Sequence, residues 1–248
     1  MTSIIDLLKS HRSIRRFKDQ ALGEGVLNQL IQAGQSASTS SYIQATTVIR
    51  ISDQSIRKAF VELTGNQKYV GTAPEFLVFC ADLNRNSQRI IGRQNQQAPD
   101  FGWTEQFISA TVDVALFAQN VVIAAESLGL GCCYIGGVRN DLERVSQMLA
   151  LPKYVYPVFG LCIGEPDQDP AMKPRLPVDV LLHQDRYSLT ESEQVLIDGY
   201  DVHVEEYYNQ RTKGRIAQTW TEQMSKQAKT ETRTYMKKYL FKQGFIVK

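Results

Sequence analysis

Thr104 to Leu128, TEQFISATVDVALFAQNVVIAAESL, is the longest run in the chain that reads as one helix. Its 25 residues span roughly 37 Å as an α-helix. The middle, Val112-Asp113-Val114-Ala115-Leu116-Phe117-Ala118, is apolar almost all round, which puts it in contact with protein on several sides. In a chain of this length such a helix is the central core helix, the core of a dimer, or both. Gly129-Leu130-Gly131 ends it, and Cys132-Cys133-Tyr134-Ile135 then reads as a short strand closing in Gly136-Gly137.

Working outward, Glu75 to Ala81 and Tyr156 to Ile163 are nearly continuous apolar runs, as expected of strands buried on both faces, and Thr46 to Ile51 is strand-like. Apolar spacing marks helices at Glu24–Ser36 and, with Asp53 as N-cap, up to about Leu63. Asn140-Asp141-Leu142-Glu143 opens another. Asn84 to Gly102 turns polar and reads as a long surface excursion. Thr190 to about Gln210 reads as a polar helix, and Lys226 to Phe245 as an amphipathic one. No linker isolates this last part, so residues 1–248 are expected to form a single domain, with 190–248 as a helical extension wrapping it.

Composition narrows the classes. The 248 residues carry a formal net charge of +2, too little for a general nucleic-acid binder. The N-terminus lacks a signal-peptide pattern, and no run is expected to reach membrane-spanning length, so a cytoplasmic protein with neither nucleic-acid nor membrane partners is expected. Cys80, Cys132, Cys133 and Cys162 sit in apolar contexts without metal-ligand spacing, as buried thiols do. The glycine signatures of dinucleotide and P-loop folds, the serine-hydrolase elbow and the zinc-protease motif are all missing.

The remaining signal is basic. In His11-Arg12-Ser13-Ile14-Arg15-Arg16-Phe17, Arg12 and Arg15 are spaced to converge on one anion and Ser13 adds a hydroxyl. That pattern suits phosphate capture; it also suits a basic helix end complementing the macrodipole. Ser36 to Ser41 is a hydroxyl-rich loop, and Lys173-Pro174-Arg175-Leu176-Pro177 holds two more cations apart with prolines.

These pieces resemble, in order, the nitroreductase fold family: the oxygen-insensitive type I nitroreductases and the NADPH-dependent flavin reductases that carry FMN. The likeness lies in His11-Arg12-Ser13-Ile14-Arg15, Ser38 to Ser41, Gly65-Asn66-Gln67-Lys68, Ala124 to Gly131, Tyr134-Ile135-Gly136-Gly137, Lys173 to Pro177 and Tyr207-Tyr208 to Trp220. It runs essentially full length. It implies an α+β fold with a mixed β-sheet flanked by helices, an intertwined homodimer, and an FMN site at the subunit interface.

On that resemblance His11, Arg12, Ser13 and Arg15 would hold the phosphate and ribityl chain, Thr39 and Ser41 would hydrogen-bond phosphate or ribityl groups, and Gln67 the ring edge. Tyr134, Ile135, Gly136 and Gly137 would pack along the isoalloxazine, with Lys173 and Arg175 as the basic pair near flavin and phosphate. Arg211 and Arg215 would grip NADPH, although Ile216 occupies the place of a second expected arginine. The activity implied is hydride transfer from NADPH through FMN to nitroaromatics, quinones, free flavin or similar small electron acceptors, without a side-chain acid or base. The alternative is a non-redox flavin or nucleotide sensor or carrier.

Overall fold

The computed structural model describes residues 3–94 and 99–248. The chain forms two compact units, one running to Asp169 and resuming at Arg233–Lys248, the other Pro170–Thr232. In the first lie helices α1 (Ile4–Lys9), α2 (Val26–Gln35), α3 (Gln54–Leu63), α4 (Lys68–Thr72), α5 (Asn84–Gln94), α6 (Thr104–Ser127) and α7 (Leu142–Met148), and strands β1 (Thr46–Arg50), β2 (Glu75–Asp82), β3 (Gly131–Ile135) and β4 (Val155–Gly164). The second holds α8 (Glu191–Thr212) and α9 (Trp220–Ala228), and the chain returns to the first for α10 (Met236–Lys242).

The strands form one sheet in the order β1-β2-β4-β3. Alternation along β2 sorts its side chains between two cores. Leu77, Phe79 and Ala81 meet Val114, Ala118, Val121 and Ala125 of α6, together with Leu30 of α2. Phe76, Val78 and Cys80 face the other way, toward Phe60 and Leu63 of α3, Val70 of α4, and Cys133 and Cys162. Every residue of β2 is buried: Phe76 to Ala81 as an apolar run requires, and the end carboxylates Glu75 and Asp82 held by Arg50 and Arg85. All four cysteines are buried free thiols in strands.

The α+β class holds, but the described sheet is antiparallel at all three pairings rather than mixed. Helical connections return the chain to the end of the sheet it has just left, between β1 and β2 and again between β3 and β4. β2 and β3 do run the same way, but β4 lies between them. The one parallel pairing given is a single bridge, Ser13 with Cys132.

Two segments differ from the sequence reading. Asn84–Gln94, expected within a polar excursion, is helical: Asp82 accepts the Arg85 N–H at 3.1 Å, and Leu83 and Ser87 face inward. The rest of that excursion includes residues 95–98, which lie outside the described set. The amphipathic run at 226–245 is two helices, not one, broken where Arg233 takes a φ of +52°.

α6 is long and apolar enough, by length and composition, to cross a bilayer. Its buried face lines the sheet, but Ile108, Val112 and Leu116, four residues apart in one line, remain 49%, 49% and 43% exposed.

Candidate functional site

The basic stretch at 11–17 is laid along the outer edge of β3. The Ile14 N–H donates to the Cys132 carbonyl at 2.9 Å, Ser13 bridges to Cys132, and Phe17 bridges to Pro166. Ile14 and Phe17 are the buried anchors, which explains why apolar and basic residues alternate so tightly. Gly131 is required by this docking: a Cβ there would sit 2.5 Å from the Ile14 side chain.

With the anchors inward, the polar side chains are dealt out in sequence. His11 Nδ1 is 2.6 Å from Glu126 Oε1 near the end of α6. Arg12 pairs with Asp169, Arg16 Nε with Asp167 Oδ2 at 2.8 Å, and Lys18 with Glu165, so three alternate acids face three bases. Arg15 differs. Among the described residues it forms no ion pair with a carboxylate; one guanidinium nitrogen lies 3.5 Å from the Ser13 carbonyl oxygen, and the group rests against Tyr69 and Cys133. Burial pushes the Tyr69 hydroxyl and the Cys133 thiol up, and the charge of Arg15 opposes the rise in each.

Beside Tyr69 lies the loop after α3, where Gly65 and Asn66 take φ values of +83° and +59°. This turn carries Gln67, whose Oε1 is buried without a hydrogen-bond partner. The end of β3 closes onto the same loop. A Cβ on Gly137 would meet the Thr64 Cα at 2.9 Å, so glycine is needed here for contact with the protein's own backbone. Arg15, Tyr69, Gln67, Gly136 and Gly137 are thereby gathered into one neighbourhood.

Two further cations flank Gly136. A Cβ at Gly136 would be 3.4 Å from an Arg139 guanidinium nitrogen, and Arg233 donates to the Gly136 carbonyl at 3.3 Å and to Asn140 Oδ1 at 3.0 Å. Burial, and then Arg233, hold the Arg139 guanidinium below its usual value. The sequence reading named neither residue. The turn directly after Gly136-Gly137 was the signal for Arg139, whereas Arg233 comes from far along the chain and has no local signature.

Other expected residues are placed differently. Ile135 is 1% exposed and belongs to the core, so only its backbone can meet a ligand. Tyr134 points to the opposite face of β3, packing edge-on against Phe159 with ring centroids 5.0 Å apart and its hydroxyl 3.5 Å from Gln119 Oε1. The Thr39 hydroxyl donates to the carboxylate of Asp113 on α6, and Ser41 is exposed beside it with a φ of +46°. Asp113 and Glu126 are thirteen residues apart on α6, roughly 20 Å along its axis. Within one chain, therefore, the hydroxyl loop is not brought to His11.

In the second unit, the Lys173 ammonium lies 5.3 Å above the ring of Tyr208, and the Tyr200 hydroxyl donates to the Pro174 carbonyl at 3.2 Å. Arg211 donates to the Tyr207 hydroxyl at 2.9 Å. The two tyrosine rings are 5.3 Å apart, so Lys173 and Arg211 share one aromatic pair. Arg175 is exposed, and Arg215 turns back to the Thr212 carbonyl at 3.1 Å. Ile216 is 45% exposed just past the end of α8.

Comparison with known proteins places the chain in a family. Residues 8–165 match the nitroreductase family, and residues 173–248 match the nitroreductase family C-terminal domain. An oxygen-insensitive NADPH nitroreductase from Salmonella typhimurium is 42% identical over 248 residues, covering 100% of both chains. An FMN reductase (NADPH) from Bacillus subtilis is 40% identical over 246 residues, covering 99% of each. The NfrA1 nitroreductase from B. subtilis superposes with a TM-score of 0.94 at 39% identity, over 99% of this chain and 100% of that one. The NADPH:FMN oxidoreductase from Vibrio harveyi, complexed with NAD+, does so with a TM-score of 0.88 at 35% identity, over 99% of each. With both segments matched and full-length relatives well above 30% identity, the chain belongs to the nitroreductase family.

Proposed function

We propose that the protein is an FMN-dependent oxidoreductase that takes electrons from NADPH and passes them to small electrophiles such as nitroaromatics, quinones or free flavin. The observation that carries this reading is the buried, unpartnered Gln67 oxygen, on the loop between Thr64, which Gly137 packs against, and Tyr69, which Arg15 contacts. A buried acceptor without a donor is costly unless a ligand completes it, and a flavin ring edge carries an N–H. FMN, when bound, supplies the two-electron chemistry, accepting hydride from NADPH and returning it to the acceptor.

The chain's own groups bind and orient. His11, Arg12, Ser13 and Arg15 answer the phosphate and ribityl chain, Arg15 being the one with no competing carboxylate among the described residues. Gln67 and the backbone of 135–137 set the ring. Lys173 and Arg175 supply positive charge toward flavin and phosphate. Arg211 grips the nucleotide, with Arg215 close by in sequence; the apolar Ile216 leaves the preference for NADPH over NADH resting on few charges. No side-chain acid or base is needed. The Salmonella, Bacillus and Vibrio relatives are named for reduction, which disfavours a non-redox flavin carrier.

The working unit is a homodimer. A second copy covering Ile108, Val112 and Leu116 buries the apolar line on α6 and supplies the Thr39–Ser41 loop that one chain cannot bring to its own His11. The four reduced cysteines suit the cytoplasm.

The test is the visible spectrum of the purified protein, followed by NADPH oxidation with a nitroaromatic or quinone added. A yellow protein that turns over both supports the reading. A colourless protein that FMN does not reconstitute overturns it.

A further inference from the structure

Asp113 stands in the middle of the apolar run of α6 and is 3% exposed. Among the described residues it forms no ion pair. Its carboxylate instead collects donors from a single loop: the Ser40 N–H at 2.9 Å on Oδ1, and the Ala45 N–H at 3.2 Å and the Thr39 hydroxyl on Oδ2. The Gln44 N–H closes the ring by donating to Thr39 Oγ1 at 2.9 Å. The loop so held is strained, with Ser41, Tyr42 and Gln44 at φ values of +46°, +58° and +50°. Non-glycine residues adopt this left-handed region only when their surroundings impose it.

We infer that Asp113 is the positioning residue for this loop, holding it in the strained shape that presents Ser41 to bound FMN. This rests on the reading of the protein as an FMN enzyme. It divides the work of the two hydroxyls. The Thr39 proton is committed to Asp113, so Thr39 shapes the loop, while the exposed Ser41 makes the ligand contact. The chemistry demands a carboxylate. Three donors converge on two acceptor oxygens, whereas an amide offers one oxygen and turns an NH2 toward an N–H or O–H that needs an acceptor. Released at that point, the left-handed residues relax and the loop loses its presented form.

The experiment is titration of FMN into apo protein, followed by flavin fluorescence. In Asp113→Asn, the dissociation constant should rise about tenfold, the size of one lost hydrogen bond, while kcat at saturating FMN stays within about twofold of the parent. Adding Gln44→Gly to that variant should recover part of the affinity, because glycine adopts the left-handed conformation without strain. Thr39→Val should weaken FMN in the same way, and it serves if Asp113→Asn does not fold. Unchanged FMN affinity in these variants overturns the inference, as does a loss of affinity and kcat together that Gln44→Gly does not relieve. An unsubstituted protein that binds no FMN overturns the underlying functional reading instead, so the two failures are distinguishable.

Discussion

Arg15 is set apart from its basic neighbours by what faces it. Arg12, Arg16 and Lys18 each meet a surface carboxylate, pairings that contribute little in water. Arg15 lies against two groups that burial keeps neutral. Arg15→Ala should therefore weaken FMN by roughly 1.5–3 kcal/mol, a charge-assisted contact, with little change in the stability of the apo protein. Calorimetric titration would measure it, and unchanged affinity would count against the site. The glycines offer a second comparison. At Gly137 an added Cβ runs into the Thr64 backbone, which cannot give, so Gly137→Ala should cost about 1–3 kcal/mol in urea unfolding. At Gly92, inside α5, a Cβ meets nothing, and Gly92→Ala should add about 0.5–1 kcal/mol. Equal effects at the two positions would refute the packing argument. The same contrast marks what was legible at this scale. Arg15 and the paired glycines stood out by type and order, and Gln67 through the family resemblance alone. The burial of Ile135 and the engagement of Thr39 by Asp113 did not, because both depend on partners distant in sequence.

At the scale of elements, the strands were readable because burial on both faces leaves a continuous apolar run in β2 and β4. α5 was not, since its exposed face is Asn-, Arg- and Gln-rich and only a narrow side meets the core. The direction of β4 was equally illegible, for pairing sense is settled by connections rather than composition. Packing of α6, α7 and α10 around β4 carries its own prediction. Tyr156 on β4 donates or accepts with Thr111 of α6, and Tyr239 on α10 is 2.6 Å from the Ser146 hydroxyl on α7. Burial pushes both phenols up to about 12 from an ordinary 10.0. Because the folded state favours the protonated phenol, this stabilisation is complete below about pH 10 and is lost as pH rises toward 12. A rise of that size corresponds to about 2–3 kcal/mol for a single tyrosine. Urea unfolding between pH 8 and pH 12 should accordingly show stability falling from about pH 9, where the buried thiols begin to contribute, and more steeply above pH 10. Tyr156→Phe combined with Tyr239→Phe should remove part of that fall, the rest coming in part from the phenol of Tyr134 and the four buried thiols that burial also pushes up, while lowering stability near neutrality by about 2 kcal/mol through the lost hydrogen bonds. An unaltered slope in the double variant would show that these phenols are not the groups titrating.

At the scale of the whole molecule α6 is decisive, because its central stretch is apolar almost all round although a single chain buries only part of it. Ile108, Val112 and Leu116 form an exposed line on the same helix that anchors His11 through Glu126 and the hydroxyl loop through Asp113. Association along this line would therefore do two things at once: remove apolar surface from water and complete a cofactor site whose parts are roughly 20 Å apart in one chain. Leu116→Glu puts a charge in the middle of the line, where a dimer would have to desolvate it, while in a monomer the side chain would remain in water at a position 43% exposed. The variant should fold with a melting temperature within a few degrees of the parent's monomeric form, sediment as a monomer, and bind FMN at least about tenfold more weakly. Sedimentation equilibrium and FMN titration on one sample decide the matter. A monomeric variant with full FMN affinity would mean that one chain completes the site alone, and a variant that stays dimeric would put the interface on another face.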